Sequence, residues 1–358
     1  MPISSFDERF MLAALRLSRW GIGLTSTNPS VACLIVNNGI IVGRGVTACG
    51  GRPHAETKAI EEAGDRSMGA TAYVTLEPCA HYGKSPPCAK SIIKSGIIRV
   101  VFCVSDPDIR VSGRGLSLLL QHGIIVDKIL EKEGEKSLVT YLTRQVKKRS
   151  HVTLKLALSQ DNMMGVIGQG NVAITGSVSI AQSHLLRAQS DAILVGIGTV
   201  LSDNPELTCR LNGLNDRSPT RIILDPHLKL SMDSKIVCTS YFAPVIVVAD
   251  TDTSPAANSL KKRNVTIIRC NCYDIEQLLS ILAVLNITSL LVEGGMAVAY
   301  SFIKSKLVDS IIIYQSNIII GNKGLPSPIE FSEIEDSYFC NRLNYFGNDV
   351  CFEYLRKD

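Results

Sequence analysis

The sequence predicts an α/β protein made of two sheet domains in tandem. Three observations carry this: short β-branched apolar runs alternating with amphipathic helical stretches, a length of 358 residues, and a charged stretch at mid-chain. At roughly 100–200 residues per domain, such a length suits two domains. Alternating strand and helix signals read as mixed sheets covered by helices. With 46% hydrophobic and 20% charged residues, the chain can bury real cores and is too weakly charged for a disordered protein. The charged stretch places the division near residue 148, giving domains over 1–147 and 148–358.

In the first half, Phe10, Met11, Ala14, Leu15 and Leu17 recur at helical spacing behind Asp7, a plausible N-cap. The runs 31–36 and 40–46 flank Asn37–Asn38–Gly39, a hairpin signature. His54 to Ala63 reads as a helix with Ala55, Ala59, Ile60 and Ala63 on one face. Runs 72–76, 98–104 and 124–126 read as buried strands. Helical stretches 89–94 and 115–121 lie between them, each stopped soon after by a glycine. A polar, charged stretch follows, Glu131 to Lys136 and then Arg144 to Arg149; its basic cluster Lys147–Lys148–Arg149 could be a nucleic-acid patch but reads first as a solvated helix end or linker.

The second half restarts with a strand over 153–158, a helix over 179–189 and a strand over 192–195. Strands at 221–224, 245–249, 265–268 and 289–292 follow, with a helix over 275–285 between the last two. Runs 311–314 and 350–354 close the chain. A second α/β sheet is the natural reading.

Composition narrows the function. A net charge of +4 and 6% aromatic residues do not favour a nucleic-acid partner. No run reaches the ~18 apolar residues of a membrane span; Asn286 and Asn317 interrupt the best candidates. Charges at Asp7, Glu8, Arg9, Arg16 and Arg19 interrupt any signal-peptide core. The expectation is a soluble, cytoplasmic enzyme with small-molecule partners, no nucleic acid and no membrane. Eleven cysteines in such a chain are not a disulfide framework.

Two of those cysteines carry chemistry. His54–Ala55–Glu56 is followed by Pro78–Cys79 and then Cys88. One imidazole and two thiolates suit zinc with a fourth position open to water. Glu56, two residues past the histidine, stands where a general acid/base must shuttle protons. Histidine–x–glutamate with a later proline–cysteine is the signature of zinc deaminases. His54 opens a helix and Cys79 follows a strand, so both sit at element ends facing a common edge.

In the second half no Gly-x-Gly-x-x-Gly is present, so a conventional dinucleotide fingerprint fails. What remains are glycine clusters at strand ends: Gly196–Ile197–Gly198–Thr199, and Glu293–Gly294–Gly295 before a helix. Glycines there let backbone N–H groups approach a phosphate.

Cytidine and nucleic-acid deaminases typically keep two residues between their cysteines, whereas Cys79 and Cys88 are separated by the segment 80–87. That insert, His81–Tyr82–Gly83–Lys84–Ser85–Pro86–Pro87, together with Asn28–Pro29–Ser30–Val31, Thr75–Leu76–Glu77–Pro78–Cys79 and Asp106–Pro107, resembles the bifunctional deaminase/reductase family of riboflavin biosynthesis. The second half resembles the reductase half of the same family through Lys155–Leu156–Ala157 with Ser159 and Asp161, Arg187–Ala188–Gln189–Ser190, and Thr199–Val200. Asp203–Asn204–Pro205, Leu207–Thr208, Arg210, Arg221 to Asp225 and Glu293–Gly294–Gly295 complete that likeness.

The resemblance implies a cytidine-deaminase-like α/β/α sandwich followed by a dihydrofolate-reductase-like α/β domain. It implies zinc on His54, Cys79 and Cys88, with Glu56 catalytic. The implied reaction is deamination of a phosphoribosylamino-pyrimidinone, followed by NADPH reduction of its ribose to a ribityl chain. Implied substrate contacts are Asn28, His81 and Lys84 in the first half, and Lys155, Asn171, Arg187, Leu207, Arg210 and Glu293 in the second. Implied NADPH contacts are Ala157, Ala173, Thr199, Asp203, Pro226 and the turn Gly295, Met296, Ala297, Val298, Ala299, Tyr300, Ser301. Two arginines suit a substrate phosphate, since guanidinium pairs with it bidentately. A homo-oligomer through the reductase half is also implied. The chain departs from the family at Ala32, Gln160, Asn162, Asn171 and Ala173, where glycine, leucine, glycine, serine and tryptophan are usual. Two other readings compete: a nucleoside or tRNA deaminase with an accessory domain, and a deaminase whose degenerate reductase half is a dimerisation platform.

Overall fold

Helix, hairpin and parallel strands of the first half fold as one unit that ends at Lys148; a second unit begins at Arg149. The computed structural model describes residues 3–82, 86–108, 110–170 and 172–357. Among them no helix is long and apolar enough to cross a membrane.

The first unit is a five-stranded sheet of β1 (Ala32–Asn37), β2 (Ile40–Val46), β3 (Thr71–Leu76), β4 (Arg99–Val104) and β5 (Ile125–Lys128), in the order β2-β1-β3-β4-β5. β1 runs antiparallel to β2 and β3, while β3, β4 and β5 are parallel. The β1–β2 hairpin turns on Asn38 at φ 51° and Gly39 at φ 77°, the paired left-handed residues of a type I′ turn.

Helix Ser5–Ser18 starts one turn earlier than its apolar pattern suggests. Ser4, not Asp7, is the N-cap, and Asp7 closes a reciprocal capping box from the third helical position. Asp7 is instead a buried acceptor for Arg99 at 2.8 Å and for the Tyr73 hydroxyl at 2.7 Å. Despite the cost of burial, those bonds hold its carboxyl well below the usual range.

Helix Ala55–Ala63 lies directly on β2, and two glycines make that possible. A Cβ on Gly43 would stand 2.2 Å from the Ala59 carbonyl, and one on Gly45 would stand 2.1 Å from that of Ala55. The helix backbone therefore rests on the strand backbone, which fixes His54 and Glu56 at its first turn. Gly45→Ala is expected to lower unfolding stability by about 1–3 kcal/mol, the usual cost of overpacking. Thermal unfolding checks this, and an unshifted Tm would mean that the helix can ride outward freely.

The charged stretch is two packed helices, Glu131–Ser137 and Val139–Lys147, with Leu138 and Tyr141 buried, and the first residues of the basic cluster do end the second of them. Arg149, the last residue of its basic cluster, is not solvated. It forms a bidentate ion pair with Asp309, both bonds 2.6 Å, with each side chain 8% exposed. Asp309 also accepts the Val152 N–H at 2.9 Å, so burial is offset by three hydrogen bonds.

The second unit holds β6 (His151–Leu158), β7 (Met163–Val166), β8 (Ala192–Gly196), β9 (Thr220–Leu224), β10 (Val245–Ala249), β11 (Val265–Arg269), β12 (Ser289–Val292), β13 (Ser310–Gln315), β14 (Gly324–Pro326), β15 (Tyr338–Phe346) and β16 (Asp349–Arg356). Nine form one sheet, β11-β10-β9-β8-β12-β6-β13-β16-β15, all parallel except β16, which runs antiparallel to both of its neighbours, β13 and β15. β7 and β14 make a separate ribbon. Strand β15 escapes sequence reading because it is a mostly exposed edge without clean alternation.

Asn162, standing where the family favours glycine, sits at φ 61°. Asparagine is the side chain that best tolerates that conformation, so this departure keeps the turn. Asp161 locks the same turn by accepting the Ile320 and Gly321 N–H groups at 3.1 and 2.7 Å.

Candidate active sites

In the first unit, three donor atoms converge. His54 is the N-cap of helix Ala55–Ala63, Cys79 follows β3 through Glu77–Pro78, and Cys88 opens helix Cys88–Lys94. His54 Nδ1 lies 3.3 Å from Cys88 Sγ and 3.6 Å from Cys79 Sγ. All three donors lie within 4.8 Å of one another. A tetrahedral zinc with the usual bond lengths needs donor edges of about 3.6 Å. The triangle fits the ion.

Its electrostatics suit a cation as well. The Cys79 thiol is pulled down to about 4, chiefly by hydrogen bonding from Cys88 against the cost of burial. Burial first, then the Cys79 charge, pushes the Glu56 carboxyl up to about 7. Glu56 is 4% exposed and lines a cavity of about 270 Å³ together with His54 and Cys79.

Asn28 and His81 border the same cavity. Gly51 makes room for Asn28: it sits at φ 88°, and a Cβ there would stand 2.1 Å from Asn28 Nδ2. Among the described residues, buried His81 Nδ1 has no partner, a polar atom left for a ligand. Lys84 lies outside the described residues. Sequence reasoning missed Arg52, Arg110, Tyr141 and Arg144, which also line the cavity. Tyr141 donates to Asp106 at 2.8 Å, and Arg110 pairs with Asp108. The usable signal was Asp106–Pro107 itself, whose buried carboxylate needs donors from elsewhere.

In the second unit, a cavity of about 890 Å³ opens at the ends of β8, β9 and β12. Thr199, Asp203, Pro226, Gly295, Met296, Ala297, Val298 and Ser301 line it, with Glu293. The expected turn 295–301 is in fact Gly295 as N-cap and the start of helix Met296–Lys304. Helical geometry sends neighbouring side chains in different directions, so Ala299 is fully buried and Tyr300 is 54% exposed; neither lines the cavity. Ala157 and the exposed Ala173 do not line it either, and Asn171 lies outside the described residues. Gly295 donates its N–H to Thr199 Oγ1 at 3.2 Å, and a Cβ on Gly294 would meet Val298 at 2.6 Å. This close, side-chain-free approach at a helix start, in a cavity of cofactor size, fits a dinucleotide.

The implied substrate residues sit beside it. Arg187 grips Glu293 bidentately at 2.8 and 3.0 Å, so its guanidinium fork faces a carboxylate rather than open space. The pairing raises the Arg187 pKa and lowers that of Glu293, although burial opposes both. Lys155 on β6 lies 5.7 Å from the Tyr314 ring, and its pKa is lowered by burial, with the Glu293 charge opposing. Leu207 is buried at φ 56°, and the exposed Arg210 is held by Glu206 at 3.2 Å.

Known proteins match both halves. The family model described as the cytidine and deoxycytidylate deaminase zinc-binding region matches residues 4–104, and that of the RibD C-terminal domain matches residues 150–352. The riboflavin biosynthesis protein RibD of Aquifex aeolicus is 36% identical over 357 residues, covering 99% of each chain. That of Escherichia coli is 33% identical over 364 residues, covering 96% of this chain and 98% of its own. Among solved structures, RibD of Acinetobacter baumannii superposes with TM-score 0.89 at 29% identity over 99% of each chain. A diaminohydroxyphosphoribosylaminopyrimidine deaminase/5-amino-6-(5-phosphoribosylamino)uracil reductase of Thermotoga maritima gives 0.88 at 34%, over 98% of this chain and 99% of its own.

Proposed function

Because the chain belongs to the RibD family of bifunctional deaminase/reductases in riboflavin biosynthesis, we propose which of its residues carry each reaction. The chain is a hydrolase and an oxidoreductase. We divide the two activities between residues 1–147 and 148–358. The substrates are 2,5-diamino-6-(5-phosphoribosylamino)pyrimidin-4-one for deamination and 5-amino-6-(5-phosphoribosylamino)uracil for reduction. Family likeness along both halves leaves the nucleoside-deaminase and degenerate-platform readings without support.

In the deaminase, His54 Nδ1 and the Cys79 and Cys88 sulfurs hold zinc. Bound there, zinc supplies a water acidified from ~15.7 to about 7. Glu56, buried beside the donors, takes one proton from the attacking water and passes it to the ring nitrogen, then takes the second from the added hydroxyl and passes it to the amine that departs as ammonia. His81 Nδ1 is free to meet a polar group of the pyrimidine, and Asn28 a ring or ribose edge. Lys84 belongs to the same substrate set. The donor triangle with Glu56 at its cavity carries this reading.

In the reductase, NADPH supplies the hydride. Thr199, Asp203, Pro226 and the helix start from Gly295 to Ser301 hold it, and Ala157 and Ala173 complete the proposed contacts. Lys155, Asn171, Leu207, Arg210 and Glu293 receive the phosphoribosyl-pyrimidine. Arg187 orients Glu293 as well as contributing charge. The protein works in the cytoplasm, and copies associate through the reductase unit. The best-placed surface for association is edge strand β15, where Phe339, Leu343 and Tyr345 are exposed. The test of function is direct: ammonia release from the diaminopyrimidine, and NADPH oxidation with the deaminated product, from one purified chain.

Arg210 and Gly295 separate the two reductase subsites. Arg210→Ala is expected to raise KM for the phosphorylated substrate roughly 10–150-fold, the worth of a charge-assisted hydrogen bond, with NADPH affinity nearly unchanged. Gly295→Val is expected to do the reverse, because its side chain would block the approach of the phosphates. Fluorescence titration of NADPH on both variants decides. Equal losses would merge the two subsites into one.

A further inference from the structure

The segment from Asp203 to Arg210 leaves the dinucleotide cavity and carries two of the proposed substrate contacts. Its backbone passes through two left-handed residues other than glycine, Asn204 at φ 41° and Leu207 at φ 56°. Asparagine tolerates this; leucine does not, because its Cβ crowds the following carbonyl. Something must hold Leu207 there.

Both carbonyls flanking Leu207 are held by arginines. Arg187 Nη1 donates to the Thr208 carbonyl at 3.3 Å, and Arg221 Nη1 donates to the Glu206 carbonyl at 3.2 Å. Arg187 belongs to the site already described. Arg221 does not: it lies on β9 with 0% exposure. Its Nη1 also donates to Thr239 Oγ1 at 2.7 Å, and its Nη2 to the carbonyls of Thr239 and Ala243 at 3.0 and 2.5 Å. Among the described residues Nε has no partner and the side chain forms no ion pair.

A buried guanidinium satisfied only by neutral oxygens is a costly way to fill space, since an unbranched apolar side chain would pack there without the charge. Burial lowers its pKa to about 10, which leaves it protonated at neutral pH. What the charge achieves is a cross-link. It ties β9 and the turn 239–243 to the peptide that precedes Leu207.

We propose that Arg221 is a positioning residue of the reductase site, acting through the Glu206 carbonyl to keep Leu207 left-handed and so to set where Leu207 and Arg210 meet the phosphorylated substrate. The assignment rests on the reductase reading above. Arg187 holds one side of the leucine and Arg221 the other, so loss of Arg221 frees the segment without touching substrate or dinucleotide.

The test uses the full chain with Arg221→Met, Arg221→Lys and Thr239→Val. Readouts are kcat and KM for the deaminated phosphorylated substrate, NADPH affinity by fluorescence, and Tm. Arg221→Met is expected to raise KM on the order of 10–10²-fold, the scale of a misplaced binding group, with NADPH affinity within about twofold. Arg221→Lys, which keeps the charge and one reach to the carbonyls, is expected to fall between. Thr239→Val removes the 2.7 Å anchor and leaves the charge, so KM should rise in the same direction by less. Should Arg221→Met fail to fold, Thr239→Val and Arg221→Lys decide, and an unchanged KM in both overturns the assignment. A fall in active fraction with KM constant, or an equal loss of NADPH affinity, overturns it too. An unmutated chain that never oxidises NADPH overturns the reductase reading, and this assignment with it.

Discussion

Cys88→Ser is expected to strip zinc from the protein and abolish ammonia release together, while NADPH oxidation with the deaminated substrate continues. Three protein ligands are the minimum for a catalytic tetrahedral zinc, and a neutral hydroxyl does not replace a thiolate. Serine preserves side-chain size at the start of helix Cys88–Lys94, and the backbone N–H that donates to Cys79 Sγ at 3.4 Å is untouched. The loss is therefore chemical rather than a local collapse. Cys79→Ser and His54→Ala should behave alike. Metal analysis of the purified variant is the check, and full zinc occupancy in Cys88→Ser would refute the ligand set.

Glu56→Gln should separate metal from proton transfer. Glutamine matches glutamate in size at a position that is 4% exposed, so helix Ala55–Ala63 and the donor triangle should persist and zinc should stay bound. What disappears is a group that can both accept and release a proton. Deaminase turnover is expected to fall by ~10²–10⁴ or more, the usual worth of general acid/base catalysis. Normal turnover at full zinc content would mean that another group moves the protons.

The contrast between these residues and the ones that were missed is physical. His54, Cys79 and Cys88 were legible as a converging set because metal ligation would demand such donor atoms at element ends, and Glu56 was legible from its fixed place two residues past the histidine. The hairpin at Asn38–Gly39 was legible because only a few residues accept its φ angles. Tyr141 and Arg144 were not, since they reach the cavity from a helix whose sequence reads as solvated charge. The bidentate grip of Arg187 on Glu293 joins residues 106 apart in sequence, and nothing local to either announces the other. Asn162 and Ala173 both depart from the family pattern, yet only backbone geometry distinguishes a harmless change at φ 61° from an exposed position outside the cavity.

The pair Arg149–Asp309 bears on how the chain can be cut. A reductase fragment begun at residue 150 would discard Arg149 and take from Asp309, a carboxylate only 8% exposed, both bonds of its bidentate arginine partner. Breaking a buried pair from one side costs about 3–5 kcal/mol, a large share of what keeps an ordinary domain folded. Trimming the other end inside β16 (Asp349–Arg356) would also unzip the strand that joins β13 to the edge strand β15. For anyone wishing to express the reductase alone, the fragment is expected to keep most of its stability only if it starts no later than Arg149 and runs through Arg356.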